Sequence, residues 1–565
     1  MRISQIQIEN FRSIRHLDLA VPQVCCLVGP NNAGKSNVLL AIQRVLGRDW
    51  VSVNSFEEQD VYAHDSNADV HIQIAFEPGI PFTKFKGGAA VPVRALSFEY
   101  TRYKIGEAKG KRRLEQKCFD ERGKPPMVLA KAPKKGEPPQ FQPLVNVPAE
   151  VRDLVPLIYI GTNRSLKEHL PAARYSMLRQ LFEDINRELE DPRHTVKVKQ
   201  RDGTEVEVQR LERFRKLMEI AVSLLRTESF EALEKSIKKH ALRQLGFDPA
   251  TDGDKLDLFF SPFDTMDFYK SLDLRVREGA FSVSATELGE GIQNALVLAI
   301  LKAFEERRKQ GAILLIEEPE MFLHPQMQRS LYKTIREIAK TNQVIYTTHS
   351  PHFVSVPDYD EVAVVRKGAD GTTICRSNLL TNEKRKEKLI KELDPERNEL
   401  FFASRLLLVE GDTEKLALPE YAKRLALDLD REGATIVEVG GKRSLPEFVQ
   451  IATSFEIPTG IVYDEDSSDF KDNKGEEGKF NATLDGFTRA DGSVKVWRFT
   501  KKYEDHLRKA AGEKKYQELC QKFPNVGKPT RPRLIAMEID VPIPEPIPDI
   551  LTWLAKKSAA TTTPK

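Results

Sequence analysis

Apolar residues along the chain fall into two rhythms, and the changes of rhythm mark its elements. From Gln23 to Val28 they run almost unbroken, the pattern of a short buried strand. After the glycine-rich segment Gly29–Ser36 they recur as Val38, Leu39, Leu40 and Ile42, at helical spacing. Alternation between about Val70 and Tyr103 predicts antiparallel strands, and the Pro/Lys-rich stretch Gly123–Pro139 predicts a solvated loop. A strand over Leu154–Gly161 is followed by roughly ninety residues with apolar positions three and four apart, clearest over Met177–Leu189 and Leu211–Leu245. Beyond them, Glu287–Ile300 predicts a long apolar helix, and Ala312–Ile316 and Val344–Tyr346 predict buried strands. The pattern restarts at Arg405–Val409, with a helix over Leu416–Leu425 and strands over Ala434–Val439 and Thr459–Tyr463. Strands alternating with helices predict an α/β protein.

At 565 residues the chain is too long for one core, and two or three domains are expected. With 40% hydrophobic and 30% charged residues, and no stretch of about 20 apolar residues, it excludes a membrane-spanning class. Met1–Val24 has strand periodicity with Arg2, Arg12 and Arg15 spread through it, unlike a signal peptide, so a cytoplasmic location is expected. Five cysteines, Cys25, Cys26, Cys118, Cys375 and Cys520, without a CxxC pair read as buried or idle thiols. A net charge of +3 is small for this size, so any nucleic-acid surface must arise from local clustering.

The candidate chemistry lies where strands end. Gly29, Gly34, Lys35 and Ser36 fit GxxxxGK[ST] between a strand and a helix. In that setting backbone N–H groups cradle phosphates, Lys35 reaches the terminal phosphates and Ser36 ligates Mg²⁺. The strand Ala312–Ile316 runs into Glu317, Glu318, Pro319 and Glu320. Glu318 is assigned as base or water-orienting group and Glu317 as the acid beside Mg²⁺. His349 follows another strand and is a candidate sensor of the γ-phosphate, and Gly289 and Gly291 are candidate backbone donors to phosphate. In the last third, Glu410 at a strand end and Glu414 one turn onward can converge on one cation. Asp464 and Asp466, taken as extended backbone, share a face. Such oxygen donors suit Mg²⁺ or Mn²⁺, and two such ions can support phosphodiester hydrolysis.

The segments GPNNAGKS, LGEGIQ, LLIEEPEMFLHP and YTTHSP resemble the Walker A, signature, Walker B with D-loop, and H-loop of ABC-type ATPases of the SMC and RecF-like group. The resemblance implies ATP contacts from Asn31, Asn32, Gly34, Lys35, Ser36 and Asn37, a metal contact from Asp60, and a dimer that sandwiches nucleotide. Leu288 replaces a common Ser and Glu317 a common Asp, which puts fast turnover in question. Glu410, Gly411, Asp464 and Asp466 resemble the Toprim hallmark, and its combination with such an ATPase resembles the OLD (overcoming lysogenization defect) nuclease family across nearly the whole chain.

That resemblance implies an ATP-regulated, metal-dependent DNA endonuclease in antiphage defence or DNA processing. It also implies a metal acid at Glu504, a lysine near the scissile phosphate at Lys528, a dimer or tetramer, and in some relatives a helicase-like partner. A non-nucleolytic ATPase scaffold is the alternative. The expected domains are an ATPase N-terminal part at 1–162, a helical insertion at 163–258, an ATPase C-terminal part at 259–380 and a Toprim domain at 381–565. The insertion reads equally as a dimerisation bundle or as an intrachain bundle.

Overall fold

A computed structural model describes residues 1–47, 53, 56–65, 67–85, 88–132, 138–162, 166–170, 176–199, 203–256, 264–278, 281–307, 311–379, 395–466, 475–524, 526–527 and 529–556. The chain divides into two compact units, Met1–Thr162 with Gln310–Lys565, and Asn163–Lys309. The expected boundaries at 258/259 and 380/381 lie outside the described residues.

Two sheets build the part of the first unit that precedes residue 380. The first is antiparallel, in the order Ile14–Ala20, Arg2–Phe11, Val70–Phe82, Val91–Arg102, Arg112–Phe119. Its third strand alternates buried with half-buried residues from Val70 to Phe76, as a sheet covered on one face must. The second runs Gly371–Arg376, Val362–Gly368, Val24–Val28, Gln343–Thr348, Ile313–Glu317, Leu157–Ile160, parallel except at its first, edge strand. Three of its four inner strands, Val24–Val28, Gln343–Thr348 and Ile313–Glu317, are buried at every position, which explains their unbroken apolar runs.

The helix Lys35–Leu46 packs against strands of both sheets and buries Val38, Leu39, Ala41, Ile42, Val45 and Leu46 in one shared core. Each larger side chain there contributes about 1.5–3 kcal/mol of burial. Because neighbouring strands are parallel, the ends that carry Val28, Glu317 and Thr348 lie along one margin of the sheet, where an open α/β sheet presents its ligand site.

In the second unit, the predicted helix at Met177 is present as Met177–Glu190, with Ser176 Oγ accepting from Arg179 N–H. The helical spacing over Leu211–Leu245 is carried by two helices, Arg210–Leu225 and Glu228–Gln244. Thr227 separates them and caps the second by accepting from Phe230 N–H. A hairpin of Thr195–Lys199 with Glu205–Gln209 was not anticipated, because a two-strand alternation this short is masked by its charged residues. Leu217, Ile220, Leu224, Leu225 and Leu233 are exposed on these helices. The helix Glu290–Arg307 also belongs to this unit.

The C-terminal portion is a parallel four-stranded sheet in the order Ala434–Glu438, Arg405–Val409, Thr459–Asp464, Val494–Phe499. Its core gathers Leu407, Val409, Leu418, Tyr421, Val462 and Phe499, with Ile547, Ile550 and Leu551 from the last helix, Ile547–Leu554. Buried Asn398 ties this portion to the turn after Thr348. Its amide donates to the Pro351 and Val354 carbonyls at 2.8 Å each, and its carbonyl accepts from Val356 N–H at 3.2 Å. Among the described residues no helix is long and apolar enough to cross a membrane.

Candidate functional sites

The first site is built on the turn between Val28 and Lys35. Gly29 has φ +150°, and a Cβ there would lie 2.1 Å from the Val365 carbonyl oxygen. Gly34 has φ +106°, and a Cβ there would lie 2.2 Å from Thr372 Oγ1. Only glycine lets the loop pass so close to its neighbours. Lys35 is buried, and its ammonium donates to the carbonyls of Gly29 at 2.9 Å and Pro30 at 3.0 Å, so the side chain curls beneath the loop it follows. Burial lowers its pKa to about 8, against the pull of Glu318 and Glu320. Asn31, Asn32 and Ser36 are exposed, while Asn37 donates to Ser13 Oγ at 2.7 Å.

The acids expected beside this loop are present. Glu317 is buried and hydrogen-bonded to Tyr159. Glu318 has φ +42°, and its N–H is held by the Thr347 carbonyl and hydroxyl, each at 3.0 Å. Its carboxylate lies 3.5 Å from His349 Nε2. Burial, and then Lys35, lower the pKa of His349 against the pull of Glu318, which favours the neutral imidazole. Glu320 had no role from its position in the sequence. Its Oε1 accepts from Thr348 Oγ1 at 2.8 Å and from His349 N–H at 2.6 Å, fixing the strand end that carries the histidine.

Asp60, the expected metal contact, is buried, and its carboxylate accepts from Arg12 Nε at 2.7 Å and from Glu57 N–H at 3.2 Å, and lies 3.6 Å from Arg44. A buried carboxylate so engaged by two guanidinium groups is an anchor for its loop. Gly289 and Gly291 were expected to precede a helix. That helix opens at Glu290, so Gly291 lies in its first turn and only Gly289 precedes it.

The second site gathers carboxylates at the ends of parallel strands. Glu410 follows the strand Arg405–Val409, and its Oε1 accepts from Asp464 N–H at 2.7 Å. Asp464, at the end of the adjacent strand, accepts from Tyr503 N–H at 2.9 Å, which brings the helix start carrying Glu504 against the cluster. Glu414 is buried in the first turn of Asp412–Arg424, with Oε2 4.0 Å from where a Gly411 Cβ would stand. Burial, with Glu414 and Asp466 adding to it, pushes Glu410 up to about 7 against the opposing Asp464 N–H and Lys442. Burial, then Glu414 and Glu410, push Asp464 up to about 8.

Asp466 joins the cluster by a route other than strand alternation. The strand ends at Asp464, and Asp466 has φ +53°, so a turn places it there. Lys442, buried directly after the Gly440–Gly441 turn, faces the acids, and sequence reasoning gave it no role. Its burial depends on a sheet end that spacing cannot reveal. Lys528 lies outside the described residues. Among the described residues no three His, Cys, Asp or Glu side chains are arranged to hold a metal as they stand. The donor set nevertheless fits a hard divalent cation. It is all oxygen, and its half-buried carboxylates raise one another's pKa, a repulsion that a cation would relieve.

Residues 1–134 and 156–354 match an AAA ATPase domain, and residues 401–466 match an overcoming lysogenization defect protein-like TOPRIM domain. A nucleotide-using ATPase and a divalent-metal nuclease domain in one chain define an ATPase-linked nuclease. The chain belongs to the OLD nuclease family. It is 32% identical over 476 residues to the OLD nuclease of Thermus scotoductus, covering 82% of each chain. It is 26% identical over 505 residues to the Old nuclease of Escherichia phage P2, covering 82% of this chain and 77% of that one. A shorter match, 28% identity over 155 residues, covers 27% of this chain and 26% of the endonuclease GajA of Bacillus cereus.

Proposed function

We propose that this protein is an ATP-regulated DNA endonuclease, dependent on Mg²⁺ or Mn²⁺, that serves antiphage defence or DNA processing. The observation that carries the reading is the convergence of Glu410 and Asp464, joined through the Asp464 N–H, with Glu414 and Asp466 close enough to disturb both carboxyls. In this reading Glu410, Glu414, Asp464, Asp466 and Glu504 hold the divalent ions, and Lys528 offsets charge at the scissile phosphate. When bound, the ions supply an activated water and stabilise the leaving oxygen.

At the ATPase site, Asn31, Asn32, Gly34, Lys35 and Asn37 bind the nucleotide, and Ser36 and Glu317 hold its Mg²⁺. Glu318 orients the attacking water, with His349 beside it as sensor of the γ-phosphate. Gly289 and Gly291 serve the nucleotide of a second copy within a homodimer or tetramer, and the exposed apolar residues of the insertion helices favour its role as a dimerisation bundle. A helicase-like partner protein fits the same reading.

The test is cleavage of supercoiled and linear DNA with Mg²⁺ or Mn²⁺, with and without ATP, by wild type, Glu410→Ala and Lys35→Ala. Metal-dependent cutting that disappears in Glu410→Ala supports the assignment, and the Lys35→Ala response gives the sign of ATP control. Wild-type cutting that survives in Glu410→Ala refutes it.

A further inference from the structure

The acid cluster contains a cation with no assigned task. Lys442 is 7% exposed, and its ammonium donates to the backbone carbonyls of Asp464 and, at 3.2 Å, Glu465. It also lies 3.9 Å from Asp466 Oδ2, 3.5 Å from Glu477 Oε2 and 5.1 Å from the centre of the Tyr463 ring. Those two carbonyls belong to the turn that carries Asp464 and Asp466. The same turn is pinned from another side, where buried Asn481 donates its amide to the Glu465 carbonyl at 2.7 Å. Lys442 is itself placed by the tight turn before it, where Gly440 and Gly441 have φ +77° and +112° and Gly441 N–H donates to the Glu410 carbonyl at 2.9 Å. The Gly441–Lys442 pair thus connects the strand end bearing Glu410, through a backbone N–H, with the turn bearing both aspartates, through the ammonium.

We infer that Lys442 is a positioning residue of the metal centre: by gripping the Asp464 and Glu465 carbonyls it holds the turn in the shape that aims Asp464 and Asp466 at one cation. The inference rests on the proposed reading of Glu410, Asp464 and Asp466 as metal ligands. A second reading of the same contacts would make Lys442 a plain counter-charge for crowded acids, and the two readings predict opposite signs. If it were only a counter-charge, deleting it would leave the cluster more negative and tighten cation binding. If it positions the turn, deleting it costs the preorganised geometry and weakens binding despite the added negative charge.

The experiment is calorimetric titration of the nucleotide-free full chain with Mn²⁺, alongside melting in EDTA, for wild type, Lys442→Met, Asn481→Ala and Glu410→Gln. Lys442→Met is expected to bind Mn²⁺ about tenfold or more weaker, the worth of one charge-assisted contact, with kcat for DNA cleavage lowered and KM for DNA unchanged. Asn481→Ala, the milder loosening of the same turn, is expected to weaken Mn²⁺ binding about threefold, and it decides the matter if Lys442→Met does not fold. Mn²⁺ affinity unchanged or increased in whichever of the two variants folds overturns the inference. If Glu410→Gln binds Mn²⁺ as wild type does, the ligand assignment itself is wrong. If Glu410→Gln alone loses binding, only the role of Lys442 is.

Discussion

Substituting Gly29 by alanine tests whether the phosphate loop is as tightly confined as its backbone indicates. The added Cβ would sit 2.1 Å from the Val365 carbonyl oxygen and 3.1 Å from its carbonyl carbon, where an ordinary carbon–oxygen contact is about 3.3 Å or more. The obstacle is backbone, so no rotamer change removes it. The strand Val362–Gly368 cannot withdraw cheaply either, since it pairs with Val24–Val28 on one side and Gly371–Arg376 on the other. Overpacking of this kind costs about 1–3 kcal/mol, and a side chain at φ +150° adds roughly 1–2 kcal/mol.

On the proposed reading, the loop can relieve this only by moving away from the position in which its N–H groups would cradle phosphate. A cost of at least about 2 kcal/mol then appears as ATP binding weakened about thirtyfold or more, read by titration with a fluorescent ATP analogue. Circular dichroism melts would show whether the fold survives. Affinity within about threefold of wild type, with an unchanged melt, would refute the argument that the Val365 carbonyl limits this loop.

Further outcomes are expected elsewhere. Glu410→Gln should abolish metal-dependent cleavage yet raise the melting temperature in EDTA by about 2–4 °C, because a half-buried carboxylate crowded by Glu414 and Asp466 is neutralised; a lower melt would show that the acids are not in conflict. Glu320→Ala removes the side-chain acceptor of His349 N–H and the nearer of the two acceptors of Thr348 Oγ1, so kcat for ATP hydrolysis should fall about tenfold with little change in KM, and Glu320→Gln should recover most of it. Arg12→Ala, which leaves the buried Asp60 carboxylate short of its nearest cation, should destabilise the chain by about 3 kcal/mol, while the double variant with Asp60→Asn should melt higher than Arg12→Ala alone.

Burial raises the thiol pKa of Cys118 and Cys25 to about 12. Because reactivity needs thiolate, which forms only as pH rises toward that value, both should resist alkylation at pH ~8 until the chain is unfolded; rapid labelling by mass spectrometry would contradict their burial.

Much of the architecture was legible before any coordinates. The phosphate loop, the acids after Ile316, His349 after its strand and Glu410 after Val409 all sit where apolar runs stop, and a parallel sheet obliges such strand ends to share one margin. Local pattern therefore specified both sites to the level of their elements. Tertiary structure decided what depends on contacts between residues far apart in the chain. Asp60 meets Arg12 across 48 positions and Asp464 meets Glu410 across 54, distances over which residue spacing carries no geometric information.

Local backbone conformation could not be read either. Asp466 departs from strand alternation because the chain turns at φ +53°, and Thr227 divides the helical spacing of Leu211–Leu245 between two helices. The burial of Lys442 and of the Glu320 Oε2 atom likewise follows from elements packing around them, since a charged residue near a turn reads as solvated until its neighbours are known. Sequence alone determined which chemical groups stand at the strand ends. Folding decided which of them face one another, because burial and mutual electrostatics exist only once distant segments are packed together.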